Sequence, residues 1–139
     1  MKKKQILFTL LVVMLTFVFT GCPEATAADP TLNGTWVGNN MEFKFDNGNF
    51  EVKDEMKGTY TTKGDNITIT TTHRWESPIV GLEAKWYSKD DYKKIMELGG
   101  ISSDEDIDDM FFSKTGTYSV SDSKLTLTLD GDASTYTKK

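Results

Sequence analysis

Beyond residue 33, short segments of the chain alternate apolar and polar side chains with a period of two. Phe43 and Phe45 alternate with charged residues, and Leu125 and Leu127 alternate with threonines. This period indicates β-strands that bury one face and leave the other in water. Asp46-Asn47-Gly48-Asn49 separates two such segments and predicts a hairpin, because Asn-Gly tolerates the positive φ of a type I′ turn. The alternation therefore predicts antiparallel strands joined by tight turns.

A glycine-threonine-aromatic motif introduces three of the predicted strands. Its copies are Gly34-Thr35-Trp36, Gly58-Thr59-Tyr60 and Gly116-Thr117-Tyr118. Each copy has apolar residues nine and eleven positions after its glycine. Repeated hairpins suit a meander that curls and closes, because closure removes exposed sheet edges. We therefore predict a mostly β fold, an antiparallel meander that closes into a barrel of about 8–9 strands.

The alternation stops between residues 88 and 112, where helix signals replace it. Ser88 can cap a helix that would stop at Gly99-Gly100, and Ser102 has capping-box spacing to Glu105 for a second helix. We therefore predict a short helical hairpin inserted near 88–112. The hairpin could complete the core as a plug at one end of the barrel, or it could cover the mouth as a lid.

The amino terminus has the order of a secretory signal peptide. Lysines at positions 2–4 precede an apolar segment over residues 6–19, and small residues follow at Thr20 and Gly21. The apolar run is shorter than the roughly 20 residues that span a bilayer. We therefore predict a signal peptide over residues 1–21, a flexible tether over 22–32 and a single domain over 33–139.

The residues around the only cysteine carry a resemblance to a known class of exported proteins. Phe19-Thr20-Gly21-Cys22 resembles the lipobox of bacterial lipoproteins, with Phe19 where leucine is usual. In that class the cysteine sulfur is diacylated, with chains such as palmitate, and the signal is cut before it. The resemblance implies a lipid anchor on Cys22 and a place in the bacterial cell envelope, exposed outside the cytoplasm. The alternative is an ordinary signal peptide with an unrelated cysteine.

The net charge of the domain limits the classes of partner that it can bind. The chain has 16 basic and 21 acidic residues, and loss of three lysines with the signal lowers the net charge from −5 to −8. Such a chain repels nucleic acid and anionic lipid headgroups, so we expect no nucleic-acid partner. With its one thiol committed to lipid, the domain has no intrachain disulfide. We expect a monomer whose membrane contact is made through the lipid on Cys22.

The chain carries no pattern of reactive residues that would indicate an enzyme. His73 is the only histidine, and no Gly-x-Ser-x-Gly motif is present. Asp104, Asp106 and Asp108 have the spacing of the first three EF-hand ligands, but Asp109 stands where that loop needs glycine. Acidic residues also suit a helix start, which is the interpretation we favour. We therefore predict no catalytic residues, no metal and no cofactor.

Three aromatic residues flank the segment just before the predicted helices. Trp75, Trp86 and Tyr87 surround an apolar stretch over residues 78–82. If exposed together, they would form an apolar or sugar-stacking platform near the barrel rim, and we take them as candidate ligand-binding residues. The alternative is that they form the core beneath the insertion.

The motif at the first strand carries a second resemblance. Gly34-Thr35-Trp36, the later entries at Gly58 and Gly116, and the run of short strands resemble the lipocalin-like (calycin) barrels of secreted bacterial lipoproteins, over about residues 33–139. In lipocalins this tryptophan packs at the closed end, often under an arginine from a late strand; the only arginine here is Arg74. The resemblance implies a cup for a small apolar molecule.

Two functions follow from these features. The first is a lipid-anchored envelope binding protein that holds a small apolar ligand in the barrel or at its mouth. The second is an envelope interaction module, an inhibitor or assembly factor, that uses its outer surface against another protein.

Overall fold

The computed structural model describes residues 27–76, 83–99 and 104–139 of the chain. The predicted signal peptide, the tether as far as residue 26, Cys22, Gly100 and Ser102 lie outside the described residues, as does the stretch 78–82. The predicted lipid anchor and the capping box of the second helix therefore stay predictions.

The described residues form nine β-strands and two α-helices, preceded by a 3₁₀-helix over Pro30–Leu32. The strands are β1 (Gly34–Gly38), β2 (Met41–Asp46), β3 (Asn49–Val52), β4 (Met56–Lys63), β5 (Asn66–Glu76), β6 (Lys85–Ser88), β7 (Ser113–Ser121), β8 (Lys124–Leu129) and β9 (Asp132–Lys138). The helices are α1 (Lys89–Leu98) and α2 (Asp104–Met110).

Eight of the strands close into an antiparallel barrel. Their order is β4-β3-β2-β1-β9-β8-β7-β5, and pairing between β4 and β5 closes the ring. Consecutive strands are neighbours except where β6 and the helices intervene between β5 and β7, which still pair with each other. The ninth strand, β6, pairs with the far end of β5 outside the ring. The predicted closed meander of 8–9 strands with a helical insertion is therefore confirmed, and it is consistent with a lipocalin-like barrel.

The turns lie at two opposite ends of the barrel. The turns at one end, the closed end, are Asn47-Gly48, Gly64-Asp65 and Asp122-Ser123. The turns at the other end, the mouth, are Asn39-Asn40, residues 53–55 and Asp130-Gly131. In the predicted Asn-Gly hairpin, Asn47 has a φ of 45° and Gly48 a φ of 87°, as a type I′ turn requires.

Below the mouth, the interior of the barrel is packed with apolar side chains at the positions that the alternation predicts. Phe45 packs edge-on against Tyr60 with ring centroids 5.0 Å apart, and Phe43 does the same with Tyr136 at 5.2 Å. Such aromatic pairs contribute about 0.5–1.5 kcal/mol beyond their buried area. The core residues are Leu32, Trp36, Phe43, Phe45, Phe50, Val52, Tyr60, Ile67, Ile69, Leu125, Leu127 and Tyr136.

A segment over residues 27–33, which we call the N-terminal strap, covers the closed end. The aromatic residue of each glycine-threonine-aromatic motif donates a hydrogen bond to it. Trp36 Nε1 donates to the carbonyl of Leu32 at 2.7 Å. The hydroxyl of Tyr60 lies 3.3 Å from Asn33 Oδ1, and that of Tyr118 lies 2.6 Å from Asp29 Oδ2. The sequence repeat thus corresponds to three aromatic donors that hold one strap.

Trp36 occupies the position that the lipocalin resemblance implies. It is fully buried at the closed end, and Lys138 Nζ of the last strand lies 5.1 Å from its ring centroid. A lysine therefore stands over this ring where lipocalins often have an arginine. An ammonium above an indole gains about 0.5–1 kcal/mol at an exposed site.

Two of the motif glycines are required by close approach of a neighbouring strand. A Cβ at Gly58 would lie 1.9 Å from the carbonyl oxygen of Thr70, and a Cβ at Gly116 would lie 1.9 Å from that of Thr128. Any side chain at either position would force the strands apart. At these two copies of the motif, glycine is therefore a packing requirement of the closed barrel.

The helical insertion packs on the outlying part of the β5–β6 ribbon. Ser88 Oγ caps α1 by accepting from the amide of Asp91 at 3.3 Å, and Gly99 ends the helix, as predicted. Tyr92 of α1 meets Phe111, after α2, edge-on at 5.8 Å. Ile107, Phe111 and Tyr87 are all buried, outside the main core cluster. The insertion therefore has a small core of its own.

Candidate functional site: the cavity at the barrel mouth

A cavity of about 300 Å³ lies at the mouth, directly above the packed core. Such a volume is at the small end of the range for ligand pockets, about 300–1,000 Å³. Its walls come from strand ends next to the mouth turns. The lining residues are Met41, Phe43, Phe50, Glu55, Met56, Ile69, Phe112, Leu127, Leu129, Asp132, Ser134 and Tyr136.

Strand alternation explains why these side chains face inward. Met41 lies two residues before Phe43 on β2, and Leu129 lies two residues after Leu127 on β8, so both continue the inward face of the core. Asp132 pairs with Leu129, and Ser134 pairs with Leu127, so both also face inward on β9. At the mouth the mainly apolar inward face thus acquires two polar side chains, both on β9.

The lining is mainly apolar, and part of it is adaptable. Met41 and Met56 are only partly buried and pack against the core from the mouth side. Methionine side chains are flexible and polarizable, so they can adjust to ligands of different shape. The polar members of the lining are Glu55, Asp132 and Ser134. The cavity can therefore hold an apolar body and present a few polar groups at its edge.

The rim also brings a cation over an aromatic ring. Lys114 Nζ lies 5.0 Å from the ring centroid of Phe112 and forms an ion pair with Asp130. Phe112 also contributes to the lining of the cavity. An aromatic face and a carboxylate therefore already hold an ammonium group next to the mouth.

The described part of the insertion borders the mouth and does not fill it. Of the cavity lining, only Phe112 comes from the segment between β6 and β7, and it directly follows Phe111 of the insertion's own core. α1 packs mainly against β5 and β6. The described helices therefore lie beside the opening. This position does not support the interpretation of the insertion as a plug.

The three aromatic residues proposed from the sequence do not line the cavity. Trp75 and Trp86 are cross-strand partners on the β5–β6 ribbon, half-buried, with ring centroids 5.4 Å apart. Lys57 Nζ lies 4.7 Å from the centroid of Trp86. Tyr87 faces the opposite side of the ribbon, where it is buried and donates to the carbonyl of Glu83 at 3.0 Å. The structure thus brings the two tryptophans together and separates them from Tyr87. A role of the three residues in ligand binding stays a prediction.

His73 lies on the outer wall of the barrel, away from the cavity. Its Nδ1 is 2.9 Å from Thr72 Oγ1, and it lines a groove of about 360 Å³ with Lys57 and Glu51 among others. No described group forms the nucleophile, base and acid arrangement of hydrolytic catalysis around it.

The acidic run lies on α2, as its helix-start interpretation predicts. Asp108 forms an ion pair with Lys89 at 2.7 Å. The hydrogen bond and the charge of Lys89 lower the pKa of Asp108. Across the described parts of the chain, no three His, Cys, Asp or Glu side chains converge on a possible metal position.

A titratable pair lies at the closed end. Burial and the hydrogen bond to Asp29 raise the pKa of Tyr118 to about 12. The same hydrogen bond lowers the pKa of Asp29, which also accepts from the amide of Thr31 at 2.8 Å. This pair belongs to the attachment of the strap and not to the mouth.

The cavity residues could have been found in the sequence only in part. Met41, Leu129 and Asp132 are in phase with the core alternation, and each lies beside a turn, so their position at an inner rim follows from the pattern. Phe112 and Glu55 lie outside regular alternation, and no local signal places them there.

No protein-family model, curated protein or solved structure matches this chain. No helix in the described ranges is long and apolar enough to cross a membrane. Fold and cavity together define a small closed β-barrel with a single-ended apolar cup.

Proposed function

We propose that this chain is a lipid-anchored envelope binding protein that holds a small apolar ligand at the mouth of its barrel. The observation that carries the proposal is the cavity lined by Met41, Met56, Leu129 and their neighbours. A filled barrel would have closed this space with side chains. Burial of apolar ligand surface against such a lining stabilises a complex by about 25 cal/mol per Å².

The cavity favours binding over catalysis. Its polar lining residues are Glu55, Asp132 and Ser134, and His73 lies on the outer wall. A serine becomes an effective nucleophile when an oriented histidine takes its proton, and no described histidine lines the cavity. We therefore propose that the ligand leaves the cavity unchanged.

The position of the strap supports an anchor at the closed end. The carbonyl of Ala27 accepts from the amide of Thr62 at 2.8 Å and from its hydroxyl at 2.6 Å. Cys22 lies five residues earlier. Five residues reach at most ~18 Å, because an extended chain advances about 3.3–3.6 Å per residue. A lipid on Cys22 would thus hold the closed end near the membrane and leave the mouth facing away from it.

This orientation can be measured because an acylated Cys22 leaves no other thiol. Lys53→Cys at the mouth and Asp65→Cys at the closed end each provide a single labelling position. In liposomes with nitroxide-headgroup lipids, we expect stronger quenching of a fluorophore at position 65 than at position 53. Equal quenching at both positions contradicts the orientation.

The alternative, an interaction module that uses the outer surface, has less support. The large apolar side chains that are exposed on the described surface are Val37 and Leu98, on different elements. Protein-binding surfaces usually present a contiguous apolar patch. The pair Trp75 and Trp86 is half-buried, and Lys57 covers part of it. Crosslinking in the native membrane tests this alternative.

Methionine methyl groups provide a direct test of ligand binding. Met41 and Met56 line the cavity, whereas Met96 and Met110 belong to the helices. With the chain in lipid nanodiscs and ¹³C-labelled methionine, we expect 1-hexanol to shift the signals of Met41 and Met56 saturably. The helix signals serve as internal controls for nonspecific effects.

A pair of serine substitutions completes the test. Ser134→Leu places a larger side chain in the cavity, and we expect it to abolish the saturable shift. Ser119→Leu is the matched control, because Ser119 is exposed on the outer face of β7. If hexanol shifts all methionines equally, or if Ser134→Leu has no effect, the cavity is not the binding site.

A further inference from the structure

We propose that the ligand of the mouth cavity is an amphiphile with a positively charged end, an organic amine or quaternary ammonium attached to an apolar body. This inference rests on the proposed function and names the chemistry of its ligand. Two features of the cavity lining support a cationic ligand: its charge and its aromatic side chains.

The charged side chains that line the cavity are both acidic. Glu55 lies in the turn between β3 and β4, and Asp132 begins β9 on the inward face. Neither carboxylate has an ion pair with the described residues. Lys53 lies in the same turn and does not line the cavity; it shares a neighbouring groove on the outer rim with Glu55 but forms no ion pair with it. A cation entering the cavity would therefore meet two carboxylates that the described chain leaves without a counterion.

Two other acids near the mouth are already paired with lysines. Asp130 pairs with Lys114, and Glu42 pairs with Lys139 at 3.0 Å. The contrast matters because an unpaired carboxylate beside apolar walls attracts a cation more strongly than a paired one does. Asp54 has no described ion pair either, but it lines the outer groove and not the cavity, so Glu55 and Asp132 are the carboxylates that a ligand in the cavity would meet.

Aromatic rings in the lining favour the same ligand charge. Phe43, Phe50, Phe112 and Tyr136 contribute to the walls. The negative face of an aromatic ring attracts ammonium groups, and aromatic cages are a common way to bind quaternary ammonium ligands. Lys114 demonstrates the arrangement within the chain, because its ammonium lies over Phe112 and bonds Asp130. A ligand ammonium would repeat this combination with the carboxylates of the cavity.

The test compares three probes that share a six-carbon chain and differ in charge. These are hexyltrimethylammonium, 1-hexanol and hexanesulfonate, each titrated against the chain in uncharged-lipid nanodiscs while the Met41 and Met56 methyl signals are recorded. We expect hexyltrimethylammonium to bind about tenfold more tightly than hexanesulfonate, because two partly exposed carboxylates attract the ammonium modestly and repel the sulfonate. The preference should shrink as salt is raised.

Isosteric variants assign the preference to the two carboxylates. Glu55→Gln with Asp132→Asn should remove most of the preference for the cation over hexanesulfonate. Asp122→Asn, at a closed-end turn, is the matched control for the loss of a charge, and asparagine tolerates the positive φ of 54° there.

The outcomes separate this inference from the proposed function. If hexanol binds and the charged probes bind equally, or if the double variant keeps the preference, the cationic ligand is wrong and the apolar cup stands. If none of the three probes shifts the cavity methionines, the proposed function and this inference both fail.

Discussion

Removal of one hydroxyl at the closed end should measure how firmly the N-terminal strap is held. Tyr118→Phe deletes the hydrogen bond to Asp29, which is short at 2.6 Å and has a charged acceptor. Hydrogen bonds to charged groups contribute about 1.5–3 kcal/mol to stability. Asp29 is only partly buried and keeps its bond from the Thr31 amide, so water can replace part of the loss. We therefore expect a cost of about 1–2 kcal/mol in the free energy of unfolding.

Urea unfolding followed by tryptophan fluorescence measures this cost. Tyr136→Phe is the matched control, because it removes the same hydroxyl from a buried tyrosine of β9 with no described hydrogen bond, and it should change stability by less than about 0.5 kcal/mol. Asp29→Asn tests the charge, since asparagine keeps the cap of the 3₁₀-helix while it weakens the bond. In that background Tyr118→Phe should cost less. If Tyr118→Phe costs no more than Tyr136→Phe, the strap is not held by this bond.

The remaining predictions concern pH, packing and the anchor. The folded state raises the pKa of Tyr118 from near 10 to about 12. The stability that the protonated Tyr118 hydroxyl contributes is therefore complete below pH 10 and is lost between pH 10 and 12. In urea titrations, wild type should lose more stability over this window than Tyr118→Phe. Gly116→Ala should destabilise the barrel by about 1–3 kcal/mol, because the new Cβ would meet a backbone carbonyl. Gly99→Ala is the control, because a Cβ there finds ordinary contacts at 3.5 Å and should be tolerated. Thermal unfolding of both variants measures the difference. Cys22→Ser should abolish palmitate labelling and release the chain from the membrane fraction, and continued membrane retention would contradict a lipid anchor.

The strand pattern was predictable because alternation and turn chemistry are local. Phe43 and Phe45 required one buried face, and the Asn47-Gly48 turn fixed the pairing of two strands before any distant contact was known. The threefold glycine-threonine-aromatic motif also indicated closure. Its physical role was not readable from the sequence, because the strap that the aromatic residues bind precedes the first copy and has no pattern of its own.

The candidate site shows where local reasoning stops. Trp86 and Tyr87 are consecutive residues of a strand, so the pleat turns them to opposite sides. The prediction that both belong to one platform did not take this alternation into account. The cavity depends on which strand ends meet at the same rim. Glu55 and Asp132 are far apart in the chain, and only barrel closure brings them to one opening.

The sequence by itself determined the alternating strands, their tight turns, the helical insertion and the prediction of a lipid on Cys22, because each depends on neighbours along the chain. The tertiary structure decided that the strap covers one end, that the insertion packs beside the other, and that the core stops short of the mouth. These features depend on contacts between distant segments and on how completely side chains fill a closed volume. Packing of that kind is set by the three-dimensional fit of many residues at once, and no local pattern encodes it.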